Sequence, residues 1–162
     1  MIVVSDTSPV SNLILIRRLI ILRELFAEVI VPPAVDAEVR ALKNFGKDLS
    51  EYENADWITI AQPTDFAKIE ALELKLDEGE AQAIALALEI NCELLLIDER
   101  LGTIIAHQEG LKTIGLVGVL IKAKEKGLIT QVKEVLFELK NDAGFWLGEK
   151  LQKQILEQIG EL

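Results

Sequence analysis

Two apolar runs, each ending on an aspartate, constrain this chain more than any other feature. Residues 2–5 are mostly β-branched and stop at Asp6, and residues 94–97 are wholly apolar and stop at Asp98. Such short runs suit strands buried on both faces rather than helix starts. Similar short runs at 28–31, 57–60 and 112–114 bring the expected strands to five. Helical periodicity fills the intervals, so strands alternate with helices, and a mostly parallel sheet covered on both faces by right-handed crossovers follows. In such sheets ligands gather beyond the carboxyl ends of the strands, where the strand order reverses. Asp6 and Asp98 occupy those ends.

Local signals place the helices. Ser8-Pro9 reads as an N-cap with proline at the first helical position, opening a helix through about residue 16. A short helix is expected at 19–25. Pro32-Pro33 stops the second strand, and Pro33 suits the first turn of a helix that turns Val35, Val39 and Leu42 inward and carries Glu38. Residues 44–56 are polar and weakly patterned and suggest no element. Further helices are expected at 65–74, at 77–89, after Asp98 through about 109, and at 116–125, 132–139 and 149–157. No linker or repeat appears, so a single domain over 1–162 is expected, closing in a helical extension at about 130–162.

No stretch approaches the roughly 18 uninterrupted apolar residues of a membrane span. The apolar opening meets Asp6 at once, which argues against a signal peptide and for the cytoplasm. Cys92 is the only cysteine, so neither an internal disulfide nor a Cys-based zinc site can form. The net charge of −10 is awkward for a nucleic-acid partner, whose phosphates are usually met by Lys and Arg. Acidic metal pockets contribute to such a charge themselves. Basic residues do cluster, at Arg17, Arg18 and Arg23 and at Lys122, Lys124 and Lys126, although each group also reads as a solvated helix face. A basic partner protein fits the charge equally well.

Four acids stand out, and each has an ordinary reading. Asp6 can terminate its strand in a turn. Glu38 alone is a surface residue. Glu80 follows Asp77 by three, as in a capping box, and Asp98 can cap the helix behind it. Capping does not require two strand-end acids and two helix-borne acids to converge on one edge. Converging carboxylates repel and lose solvent, and divalent cations relieve both costs. An oxygen-only donor set selects hard ions, Mg²⁺ or Mn²⁺, over zinc. Such ions lower the pKa of bound water and stabilise a departing oxygen, which leads to phosphodiester hydrolysis. Asp6, Glu80 and Asp98 are the candidate ligands, Glu38 a further candidate catalytic acid, and Thr7, Ser8 and Glu99 candidates to orient them. Lone His107 falls within a helix and reads as structural.

These residues resemble a known family. Ser5-Asp6-Thr7-Ser8, Val31-Pro32-Pro33-Ala34-Val35 with Glu38, Leu76-Asp77-Glu78-Gly79-Glu80-Ala81 and Leu95-Leu96-Ile97-Asp98-Glu99 are similar to the PIN domain, within the VapC-like ribonuclease superfamily. Residues 115–120 and 123–129 resemble its branch of predicted nucleic-acid-binding PIN proteins. The resemblance implies a three-layer α/β/α sandwich and a Mg²⁺- or Mn²⁺-dependent endoribonuclease acting on RNA. It also implies homodimers and, in many relatives, a toxin held in check by a small antitoxin. One departure stands at Gly102-Thr103, where the branch commonly carries an Arg that Arg100 would have to replace.

The main rival is a catalytically weak PIN-fold module that binds RNA or a protein partner. An aspartyl-nucleophile phosphatase needs a second Asp two residues after the first, where Ser8 stands. A phosphorelay receiver needs paired acids after the first strand, and no glycine-rich phosphate loop is present for a nucleotide.

Overall fold

The computed structural model describes residues 1–162. Five strands form one parallel sheet: β1 (Val3–Ser5), β2 (Val29–Val31), β3 (Ile58–Ile60), β4 (Leu94–Leu96) and β5 (Thr113–Ile114), in the order β3-β2-β1-β4-β5. The helices are α1 (Thr7–Leu15), α2 (Ile20–Phe26), α3 (Pro33–Arg40), α4 (Ser50–Glu53), α5 (Phe66–Glu73) and α6 (Glu78–Glu89). They continue with α7 (Arg100–Gln108), α8 (Leu116–Glu125), α9 (Val132–Glu138) and α10 (Glu149–Gln158). All five expected strands form, within a residue of the bounds read from the sequence. No helix is long and apolar enough to cross a membrane.

The period-2 alternation of the strands divides their side chains between two cores. Val3, Val29, Val31 and Leu96 face one, packed with Val10, Leu13 and Ile14 of α1, Leu22 of α2 and Val119 and Leu120 of α8. Val4, Leu95 and Ile97 face the other, packed with Ile69 and Leu72 of α5, Ile84 of α6 and Ile105 of α7. The result is the α/β/α sandwich. Val132, Val135, Leu136 and Leu139 of the C-terminal segment belong to the first core.

Two local expectations need correction. Residues 44–56 are ordered: a 3-10 turn spans Ala41–Phe45, and α4 follows with Leu49 and Tyr52 buried. Their two apolar anchors are too sparse for periodicity to show. Helix α1 begins earlier than expected, with Asp6 rather than Ser8 as its N-cap. The Asp6 N–H closes the last rung of the sheet on Leu96 O at 2.8 Å, so the chain leaves β1 straight into the helix. Pro9 falls third in that helix, still within the first turn where no N–H is needed.

Ala27 closes α2 with φ of 67° and ψ of −50°, and the Glu28 N–H donates to Phe26 O at 2.8 Å. This three-residue turn is strained for a side chain bearing a Cβ. Ala27→Gly is expected to stabilise the fold by about 0.5–1 kcal/mol, the relief of strain outweighing the added freedom of the unfolded chain. Urea denaturation at constant slope checks it.

Candidate functional site

The chain builds β1, β2 and β3 outward in one direction, then returns to place β4 and β5 on the opposite side of β1. The strand order therefore reverses between β1 and β4, which pair in register from Val3 against Leu94 to Ser5 against Leu96. Asp6 follows Ser5, and Asp98 stands two residues beyond Leu96. Both acids thus sit at the crevice that such a reversal opens.

Asp6 is only 5% exposed, and its side chain makes no capping hydrogen bond to α1. Asp98 Oδ1 accepts from the Leu116 N–H at the start of α8 at 2.9 Å, while its Oδ2 is buried with no hydrogen-bond partner. Glu80 is 8% exposed in the first turn of α6, and its Oε2 is likewise buried and unpartnered. Leaving a buried carboxylate oxygen unsatisfied costs a few kcal/mol, so two together point to a missing positive partner. Glu38 is exposed on α3 and its Oε2 accepts from Thr7 Oγ1 at 2.7 Å.

Of the two caps read from the sequence, the one at Asp77 forms and the one at Asp98 does not. Asp77 caps α6, its Oδ1 accepting from the Glu80 N–H at 2.8 Å, which leaves the Glu80 carboxylate free of that task. Glu99, not Asp98, caps α7, its Oε2 accepting from the Gly102 N–H at 2.7 Å. Ile97 still donates to Ile114 O at 3.1 Å and the Asp98 carboxylate turns to the Leu116 N–H, so the cap of α7 falls to the next residue.

Three glycines make the crevice narrow enough. A Cβ would lie 2.7 Å from Glu38 Oε1 at Gly79, 2.6 Å from Glu80 Oε2 at Gly102 and 2.6 Å from Asp98 Oδ1 at Gly115. Each glycine is in the cap or first turn of a helix, so the positive ends of α6, α7 and α8 approach the carboxylates closely. A side chain at the Gly102 departure would have to displace the end of the Glu80 side chain. Gly102→Ala would press on Glu80 Oε2 and, at 2.8 Å, on Ile97 Cδ1. A loss of about 1–3 kcal/mol is expected in chemical denaturation.

Burial and crowding show in the titration of the acids. Asp6 is pushed up to about 7, chiefly by burial; the Thr7 N–H opposes this, and the charges of Asp77, Glu38 and Asp98 add to it. Glu80 is pushed up to about 8 by burial first, then by the adjacent Asp77 and Glu99 carboxyls and the charge of Asp6. Asp98 is raised by burial against the Leu116 N–H. Asp77 is the acid that sequence reasoning left as a cap alone; its spacing from Glu80 was visible, but its reach toward Asp6 was not. Ser8 is exposed on α1 and joins none of this. His107 Nε2 lies 2.7 Å from Thr113 Oγ1, and Arg100 is exposed at the first position of α7.

The donor set and its two orphaned oxygens fit a hard divalent cation. No three acids close on a common point at ligand spacing. Mg²⁺ does not require that, since it keeps several waters and takes one or two carboxylates. Asp6, Glu80 and Asp98 would hold such an ion.

An α/β/α domain with carboxylates at its switch point is the class that fold and site define. The PIN domain family model matches residues 2–161, and the chain belongs to that family. Among solved structures it is similar to a PilT N-terminus domain protein from the hyperthermophilic archaeon Sulfolobus solfataricus P2, at 19% identity and a TM-score of 0.52. That match covers 76% of this chain and 93% of the other, and it shows the fold. No curated protein matches the chain. PIN domains are generally nucleases and typically use divalent metals.

Proposed function

We propose that the switch-point carboxylates form the centre of a Mg²⁺- or Mn²⁺-dependent endoribonuclease. The observation that carries this reading is the pair of buried, unpartnered oxygens, Glu80 Oε2 and Asp98 Oδ2, at the β1–β4 crevice. A divalent cation bound there would supply an acidified water and charge for the phosphate. Asp6, Glu80 and Asp98 would hold and orient that cation. Glu38, fixed through Oε2 by Thr7, keeps Oε1 to accept a proton at the exposed mouth of the site. The N-termini of α6, α7 and α8 offset part of the acids' mutual repulsion. On this reading the substrate is RNA, and family likeness favours a homodimeric toxin whose small antitoxin would block the crevice.

A second reading, a catalytically silent module binding RNA or a protein, is favoured by the absence of a closed three-acid cluster. Incubating the protein with a mixed single-stranded RNA pool in Mn²⁺, Mg²⁺ or EDTA separates the two. Cleavage that EDTA stops is the expected outcome, whereas RNA retained intact in every metal would turn the assignment toward the silent module.

A further inference from the structure

Helix α3, which carries Glu38, has no cap of its own. Its N-cap position is Pro32 and its first residue Pro33, and neither offers a polar side chain. Asp36, the one acid of its first turn, is engaged elsewhere: it accepts from Arg40 Nε at 2.9 and 3.0 Å and from the Tyr52 hydroxyl at 2.6 Å. The free Ala34 N–H instead donates to Gln82 Oε1 of α6 at 3.0 Å, across 48 residues of chain. The Gln82 amide nitrogen reaches only Glu78 Oε1, at 3.5 Å, so the bond to Ala34 orients the side chain.

Gln82 and Gly79 are three apart on α6 and share a face, as Ala34 and Glu38, four apart, do on α3. The two helices therefore meet at two points. Gln82 holds the start of α3, and one turn further on Gly79 leaves just the clearance that Glu38 Oε1 occupies. We propose that Gln82 is a positioning residue for the acid centre: by capping α3 from α6 it sets where Glu38 stands relative to Glu80. This rests on the ribonuclease reading above. Gln82 touches neither cation nor substrate; it acts through Glu38.

Gln82→Leu removes the acceptor at similar bulk, and Gln82→Glu keeps one that a helix N-terminus favours. For Gln82→Leu, kcat for RNA cleavage is expected to fall about 10- to 100-fold with KM within about twofold, the usual scale for residues that orient others. Gln82→Glu is expected to recover most of the loss. In a Glu38→Gln background the Gln82→Leu change should cost little more, because both act through one group. Should Gln82→Leu fail to fold, Gln82→Ala supplies the same comparison. Unchanged kcat in Gln82→Leu with a lowered Tm, or full additivity with Glu38→Gln, would reduce Gln82 to a structural cap and overturn the proposal. Mn²⁺ affinity measured by calorimetry identifies where a failure lies. A parent that binds Mn²⁺ beside an unaffected Gln82→Leu sinks the positioning role alone, and a parent that neither binds Mn²⁺ nor cleaves RNA sinks the ribonuclease reading and this proposal with it.

Discussion

Asp6→Asn and Asp98→Asn are each expected to lower metal-dependent RNA cleavage by at least about 100-fold while leaving a protein that melts higher than the parent at pH 8. The two effects share a cause. Asn matches Asp in shape, and at position 98 its carbonyl can still accept from the Leu116 N–H, so the start of α8 keeps its cap. What disappears is a charge held against burial and, at Asp6, against neighbouring carboxylates as well. Cation binding needs that charge, whereas the empty fold is destabilised by it. For Asp6→Asn the gain at pH 8 is about 1–2 kcal/mol, or a few degrees in Tm for a domain of this size. At pH 5 the gain should be smaller, and it vanishes only below about pH 4, where Asp6 is protonated in the folded and the unfolded parent alike. A mutant that lost activity and stability together at both pH values would indicate a damaged fold.

Stability should depend on pH and divalent cation together. Asp6 and Glu80 bind protons more tightly folded than unfolded, with folded values raised to about 7 and about 8. An acid raised in this way contributes stability that is complete below its unfolded value, near 4, and is lost as pH rises through its folded value. The metal-free protein should therefore weaken between about pH 4 and pH 8, by several kcal/mol if both shifts act in full. Glu138 works the other way, held low by Arg18 and losing its contribution as pH falls. Metal-free stability should thus peak near about pH 4. Mn²⁺ at about 100 times its Kd should restore about 2.7 kcal/mol at pH 8 and far less at pH 5, where protons compete for the same oxygens. Thermal melts at the two pH values with and without Mn²⁺ check this, and an equal shift at both would place the ion elsewhere.

The framework was legible in the sequence because parallel strands buried on both faces are written as unbroken apolar runs, and residues 2–5 and 94–97 are two of them. The location of Asp6 and Asp98 at strand ends followed from that. The division of labour among the acids did not. Asp77, Glu80, Asp98 and Glu99 all satisfy the spacing of a cap, and only contacts made in three dimensions, such as that of Asp98 with the Leu116 N–H, decide which N–H each carboxylate meets and which oxygens are left over. Gly79, Gly102 and Gly115 carry no sequence sign that each clears a particular oxygen, since the contacts join segments well separated in the chain. Gln82 was hidden for the same reason: its partner, the Ala34 N–H, is a backbone group 48 residues away. Leu49 and Tyr52 anchor a segment whose remaining residues are polar, so periodicity had nothing to register.

Calorimetric titration of Mn²⁺ into the parent and into Asp98→Asn at pH 8 bears most directly on the carboxylate crevice as a metal centre. Saturable binding by the parent that is lost or weakened by at least about tenfold in Asp98→Asn is the predicted result. Equal binding by both proteins, or none by a folded parent, would contradict it.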